Sequence, residues 1–354
     1  VTEISSFPML HGARRRVTIS DVSDALGLTK STVSRALNGY PDISEATRLK
    51  VQKMATKMGY RPHSQAQAIR TGRVRALGLV VQMHDHDSQR PFLAEFLSGI
   101  SCSASAEGWT LTVATAASEA ETLEAMRALV RDGKADGFIL PRSRREDPRV
   151  DLLRQAGVPF VLYGRAVAPE GCAWFDFLGE QAMSEAVLHL ASLGHRRIGF
   201  FNGGLGYVYS GLRAAGFGAG MSAAGLTIDP QHCRDDILTA EHGRRAALSV
   251  LDHPEHPTAI ICATDMGAIG IYAAAEELGL RIGRDLSVIA YDGTPEGAFQ
   301  SPPLSTFAVD NRRAGERLGA LLIRRIRGEA VEALRETDTA RFLDRGSAGR
   351  SVKE

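Results

Sequence analysis

Cysteine is scarce and scattered in this chain, four in 354 residues at positions 102, 172, 233 and 262, with no C-x-x-C pair. That spacing gives no disulfide framework and fits a reduced cytoplasmic compartment. No apolar run approaches the roughly 20 residues that span a bilayer, and the N-terminus lacks a basic-then-apolar secretion signal, so no membrane partner is expected. Enzyme signatures are missing too. Gly216-x-Gly218-x-Gly220 lacks the final glycine of a dinucleotide fingerprint and follows no predicted strand. There is no G-x-x-x-x-G-K-[ST] phosphate loop and no G-x-S-x-G elbow, so neither catalysis nor a cofactor is expected. His84-Asp-His-Asp87 alternates sides in an extended segment and cannot close a four-ligand metal site. It reads as a loop, as do His253 and His256 beside their prolines.

Charge is nearly balanced at +1, but unevenly spread. Residues 1–75 hold thirteen Lys and Arg against five Asp and Glu, an excess of eight that leaves −7 on the remainder. A cationic head on an acidic body points to a polyanionic partner. Within that head, Thr18 is placed to cap a first helix, with Asp21 on its exposed amides and Val22, Ala25 and Leu26 on one apolar side. Gly27 permits a sharp turn. Thr29 caps a second helix over residues 30–37, with Val33, Ala36 and Leu37 inward. Lys30, Ser31, Ser34 and Arg35 stay outside, and such side chains suit base edges and phosphates. A third helix starts at the Ser44 cap, carries Thr47, Val51, Met54 and Met58 at helical spacing, and ends at Gly59 before Pro62. The expectation is a three-helix unit that puts one helix into a DNA groove.

Four motifs of this head, Val17-Thr-Ile-Ser-Asp-Val-Ser, Thr29-Lys-Ser-Thr-Val-Ser-Arg-Ala-Leu-Asn-Gly39, Ile43-Ser-Glu-Ala-Thr-Arg48 and Gly59-Tyr-Arg-Pro62, resemble the headpiece of the LacI/GalR family of bacterial transcription regulators. The likeness continues through Leu193-Gly-His-Arg-Arg-Ile198, Ala263-Thr-Asp-Met-Gly-Ala268, Ser287-Val-Ile-Ala-Tyr-Asp292 and Pro302-Pro-Leu-Ser-Thr306. The resemblance begins after the first sixteen residues, which are set apart as an N-terminal arm (1–16), and it implies a helix-turn-helix domain over 17–62, a hinge over 63–74 and a two-lobed, periplasmic-binding-protein-like effector domain over 75–345. It implies DNA contacts from Thr18, Thr29, Lys30, Ser31, Thr32, Ser34, Arg35 and Asn38. In the hinge it implies contacts from His63, Ala66 and Ile69, the last standing where the family has a minor-groove leucine wedge.

From residue 75 the pattern changes to alternating strands and helices: strand 76–81, helix 92–106, strand 110–114, helix 119–132, then strands 137–140 and 159–163. After Asp176 it restarts with helix 179–193, strand 198–201, helix 211–224, strand 259–263, helix 266–278 and strand 287–291. Alternation of this kind means parallel sheets, here two α/β lobes. The resemblance implies three crossings between them, lobe 1 taking about 75–175 and 311–329 and lobe 2 about 176–310 and 330–345. Ligands of open α/β sheets sit beyond the carboxyl ends of strands, which selects Tyr163, Arg165, Asp265 and Asp292. By resemblance, Arg213 and Asp292 clamp effector hydroxyls and Asp265 is a further cleft-facing acid. Phe92, Trp174, Tyr207, Tyr209 and Phe299 are candidate platforms for a sugar ring.

The expectation is a ligand-controlled transcription regulator, a homodimer on a palindromic operator, repressing carbohydrate genes until an inducer such as an α-glucoside releases it. By resemblance, the helices at residues 93–105 and 269–280 are the expected dimer contacts. A nucleobase corepressor would reverse the sign of control, and a solute-binding protein without DNA function is the alternative of another class.

Overall fold

Capping hydrogen bonds define the first unit, whose helices are α1 (Ile19–Leu26), α2 (Lys30–Leu37) and α3 (Glu45–Met58). The computed structural model describes residues 17–60, 72–83 and 90–351, with side chains in the last stretch described from Leu93 onward, and the chain divides into two units between Val74 and Arg75. Thr18 and Asp21 form a reciprocal box: the Asp21 N–H donates to the Thr18 hydroxyl, and the Thr18 N–H donates to the Asp21 carboxylate at 2.7 Å. Two otherwise orphaned amides are thereby satisfied. The three helices close on fully buried Val22, Val33, Ala36 and Val51, with Leu26, Leu37, Met54 and Met58 around them. Ala25, expected inward, is exposed; buried Ser23 takes that side and donates its hydroxyl to the Ser20 carbonyl. The arm (1–16), His63, Ala66 and Ile69 of the hinge, and His84-Asp-His-Asp87 lie outside the described residues.

The second unit holds two six-stranded sheets. The first comprises β1 (Ala76–Gln82), β2 (Thr110–Ala116), β3 (Gly137–Pro141), β4 (Phe160–Tyr163), β5 (Ala173–Phe177) and β11 (Arg335–Asp338), in the order β11-β5-β4-β3-β1-β2 and parallel throughout. On one face α4 (Arg90–Ala106) and α12 (Asn311–Ile326) pack Phe96, Ile100, Leu318 and Leu322 against Leu77 and Leu79. On the other, α5 (Glu119–Arg131) and α6 (Pro148–Gln155) bring Met126, Leu129 and Leu153 onto Val80, Phe138 and Leu140. β1 is buried on both faces, which is why it reads as an unbroken apolar run.

The second sheet comprises β6 (Ile198–Phe201), β7 (Cys233–Arg234), β8 (Ala259–Cys262), β9 (Ser287–Asp292), β10 (Ser305–Ala308) and β12 (Arg341–Leu343), in the order β12-β10-β9-β8-β6-β7. Its helices are α7 (Gly179–Ser192), α8 (Val208–Ala223), α9 (Ala240–Leu251), α10 (Asp265–Glu277) and the short α11 (Pro295–Ala298). Two expectations change. β12 pairs antiparallel with β10, so this sheet is not wholly parallel. The lobe boundaries also move: β5 runs to Phe177 and β11 joins it, so residues 335–338 belong to the first sheet and only β12 reaches the second. Arg335-Glu-Thr-Asp338 has no apolar pattern to announce a strand; it pairs with β5 through the backbone, and the Arg335 side chain adds a contact to the Trp174 ring and a hydrogen bond to the Cys172 carbonyl.

Gly216-x-Gly218-x-Gly220 has a packing explanation. A Cβ on Gly216 would strike the Glu180 carbonyl oxygen, and one on Gly220 would meet Val187 and Ser184, so α8 lies backbone-close on α7. The same device seats α12 on α4 through Gly315 against Phe96, and α10 on α9 through Gly270 against Ala240.

Candidate functional site

All three crossings between the sheets, at residues 177–179, 308–311 and 338–341, line one cavity of about 790 Å³. The ends of β3, β4, β5, β8 and β9 open into it, so the strand-end rule locates the cleft correctly. One rim is closed by backbone: the Arg145 N–H donates to the Gly206 carbonyl at 2.9 Å and the Val208 N–H to the Ser143 carbonyl at 3.1 Å, joining the lobes.

Arg213 rises from the second turn of α8 into the middle of this cavity. Its guanidinium lies 3.8 Å from the Tyr291 ring centroid and 4.6 Å from that of Tyr209, and donates to the Ala263 carbonyl. The close approach needs Gly179, where a Cβ would sit 3.1 Å from the Arg213 Nε. That Nε is buried and, among the described residues, has no hydrogen-bond partner. A buried, unsatisfied donor is costly unless a partner completes it.

Three acids surround it in different ways. Asp292, at the end of β9, lines the cavity; burial pushes its carboxyl up, opposed by the Arg213 charge and reinforced by Asp265. Asp176, on β5, also lines the cavity; burial pushes it up to about 6 although the Arg165 Nε donates to it at 2.8 Å. Asp265 does not line the cavity. It is fully buried as the first residue of α10 and accepts from the Thr294 N–H at 2.6 Å and the Thr306 hydroxyl at 2.7 Å.

Of the residues expected from sequence, the cavity therefore brings together Tyr163, Tyr209, Arg213 and Asp292. Tyr163 is stacked 5.4 Å from Phe96, and its hydroxyl bonds Asn311 at 3.2 Å. Arg165 is spent bridging Asp176 and Glu180. Trp174 packs into the core on the α5–α6 side, under the Arg335 guanidinium at 4.5 Å. Phe299 follows α11 at 86% exposure, away from the cavity lining, and the Phe92 side chain lies outside the described residues. Sequence reasoning missed Asp176, Tyr291, Arg142 and Ser143. Asp176 falls at the expected boundary between the lobes, on a five-residue strand that the sequence pattern does not single out; Tyr291 stands beside Asp292, where the same strand-end rule points.

On the head, Lys30 and Ser31 are exposed at the start of α2. The Thr29 and Thr32 hydroxyls bond one another at 2.9 Å in the cap, and the Asn38 amide donates to the Ser34 carbonyl at 2.6 Å. Arg35 pairs with Asp42 at 2.7 Å and lies over the Tyr40 ring.

Residues 18–63 match the model of bacterial regulatory proteins of the lacI family, and residues 187–348 match a periplasmic-binding-protein-like domain. The HTH-type transcriptional regulator AglR of Rhizobium meliloti (strain 1021) is 32% identical, over 94% of this chain and 94% of its own length. The chain belongs to the LacI family. Among solved structures, the complex of the regulator CelR with cellobiose superposes with a TM-score of 0.72 at 26% identity, covering 94% of this chain and 100% of the other. The lac repressor dimer bound to operator and the anti-inducer ONPF gives 0.76 at 25%, covering 94% and 99%. As a LacI-family member the chain is a DNA-binding transcriptional regulator and not an enzyme. Among the described residues, no helix is long and apolar enough to cross a membrane.

Proposed function

We propose that this LacI-family regulator is a cytoplasmic repressor that binds a palindromic operator as a homodimer and is released by a neutral carbohydrate. The observation that carries the reading is the buried Arg213, with an unpartnered Nε, set among Asp292, Asp176 and the rings of Tyr163, Tyr209 and Tyr291. A carboxylate accepts two hydroxyls and a guanidinium donates a rigid fork, so a polyol satisfies both while a tyrosine face covers a pyranose. The volume has room for more than one sugar ring. CelR's complex with cellobiose is consistent with this choice of ligand class.

Control follows from coupled equilibria. A ligand touching both lobes favours one lobe arrangement, and in a dimer that arrangement sets whether two heads and hinges fit one operator. Lys30 and Ser31 would read base edges, Arg35 would exchange Asp42 for a phosphate or base, and Ile69 would wedge the minor groove. The exposed small side chains Ser98, Ser101, Cys102 and Ser105 of α4 suit a close dimer contact. α10 suits one less, because Ile271, Ala274 and Ala275 are consumed inside its own lobe. The test is a thermal-shift panel of disaccharides, α-glucosides, sugar phosphates and purines, followed by operator release with each hit. A sugar at 100 times its dissociation constant should add about 2.7 kcal/mol of stability. Stabilisation by purines alone, with tighter operator binding, would overturn the reading.

A further inference from the structure

Asp292 has a backbone φ of 128°, a conformation that side chains with a Cβ rarely adopt, and Gly293 follows at 78°. Such a turn persists only where its surroundings over-determine it. Three contacts do so. The Val309 N–H donates to the Asp292 carbonyl at 3.2 Å. Ala308 fills the space where a Gly293 Cβ would be, its Cα 2.7 Å away. The third is Asp265, which clasps Thr294 through both its N–H, at 2.6 Å, and its hydroxyl, at 3.1 Å, while its other oxygen takes the Thr306 hydroxyl on β10. The nearby backbone N–H groups act electrostatically in the same sense, that of Gly293 favouring the charged form of Asp265 and that of Asp265 the charged form of Asp292.

We infer that Asp265 is the positioning residue for Asp292: it never meets the ligand, but ties the turn after β9 to α10 and β10 and so holds the Asp292 carboxylate in the cleft at the expense of backbone strain. A fully buried acid with all these donors has no capacity left for an effector, and every donor comes from the turn or the strand beside it. The functional meaning of the clamp rests on the proposed role of Asp292 as an effector ligand. Its existence does not.

The experiment therefore uses no ligand. Asp292→Ala and Asp292→Gly both remove the carboxylate, and they differ only in the Cβ that the positive φ penalises. In ordinary backbone alanine is the more stabilising of the two; here Asp292→Gly should melt higher than Asp292→Ala by about 2–4 °C. The same pair is then made with the clamp cut, by Asp265→Ala and, as a milder variant that keeps the core filled, by Thr306→Val. Residue 292 is then free to relax, and the Gly-over-Ala difference should vanish or reverse. Asp265→Asn keeps an oxygen for Thr294 and an amide for Thr306, so it should restore the difference, as should Thr306→Ser. An unchanged Gly-over-Ala difference in both cut backgrounds would show that Ala308 and Val309 hold the turn by themselves, and would sink the assignment. That failure would leave the carbohydrate reading standing; loss of sugar binding is decided separately by Arg213.

Discussion

The head and the cleft are both recognition surfaces, yet they are built by opposite routes. On the head, each outward side chain is set by a helix whose cap lies within four residues of it: Thr29 bonds Thr32, Thr18 bonds Asp21, and Lys30 and Ser31 are left exposed as a consequence. In the cleft, the decisive side chains come from Asp176, Arg213 and Asp292, each in a different segment, and they meet only because the strand ends of two sheets joined by three crossings open into one cavity. The first surface is stabilised locally and offers charge to solvent. The second places charge in a half-dry cavity, where an unpaired donor or acid is expensive and a matching ligand gains correspondingly more.

If that contrast is right, the two surfaces should fail independently. The largest effect is expected at Arg213→Ala, which should lower sugar affinity by roughly 100-fold, as loss of a buried charge-assisted donor typically costs several kcal/mol. Operator affinity measured by fluorescence anisotropy should stay near wild type, giving a repressor that no longer releases. Loss of operator binding by a protein with an intact melting transition would break the comparison. Next, Lys30→Ala and Ser31→Ala should change which base pair is preferred at one operator position by about tenfold, with sugar binding untouched. Uniform weakening on all sequences would remove them from base readout.

A smaller effect concerns protons. Asp176 is held up at about 6 and Asp292 is raised by burial, so both take up protons more readily in the ligand-free fold than in the unfolded chain. For Asp176 alone, the stability this contributes is fully present below the unfolded value and is lost as pH rises through about 6. Sugar hydroxyls donate to the ionised acids, so binding opposes that protonation. Calorimetry should show proton release near pH 6 and several-fold weaker binding at pH 5 than at pH 7.5, with Asp176→Asn flattening the profile. The smallest effect is Thr18→Ala, expected to cost the head about 1 kcal/mol while the body's melting transition is unchanged. Destabilisation of both together would mean that the units fold as one.

The head's three helices, their caps at Thr18, Thr29 and Ser44, and their stops at Gly27 and Gly59 were legible because capping and a 3.6-residue period are properties of neighbours along the chain. The alternation of strands and helices in the body was legible for the same reason, since a doubly covered strand such as β1 must be apolar on both sides. That Arg213, Asp292 and Tyr163 line the cavity was legible as well, each marked by a strand end or by family likeness. What only the tertiary structure decided is which acid faces the cavity. Sequence treats Asp265 and Asp292 alike, each following a strand, but Thr294 and Thr306 reach Asp265 from 29 and 41 residues away and close it off. Arg165 was drawn from the cleft by hydrogen bonds to Asp176 and Glu180, and Trp174 packs under the Arg335 guanidinium, which comes from a distant segment. A hydrogen bond across such a separation leaves no periodic trace in the chain, because its partners are set by how the sheets stack and not by spacing along the sequence.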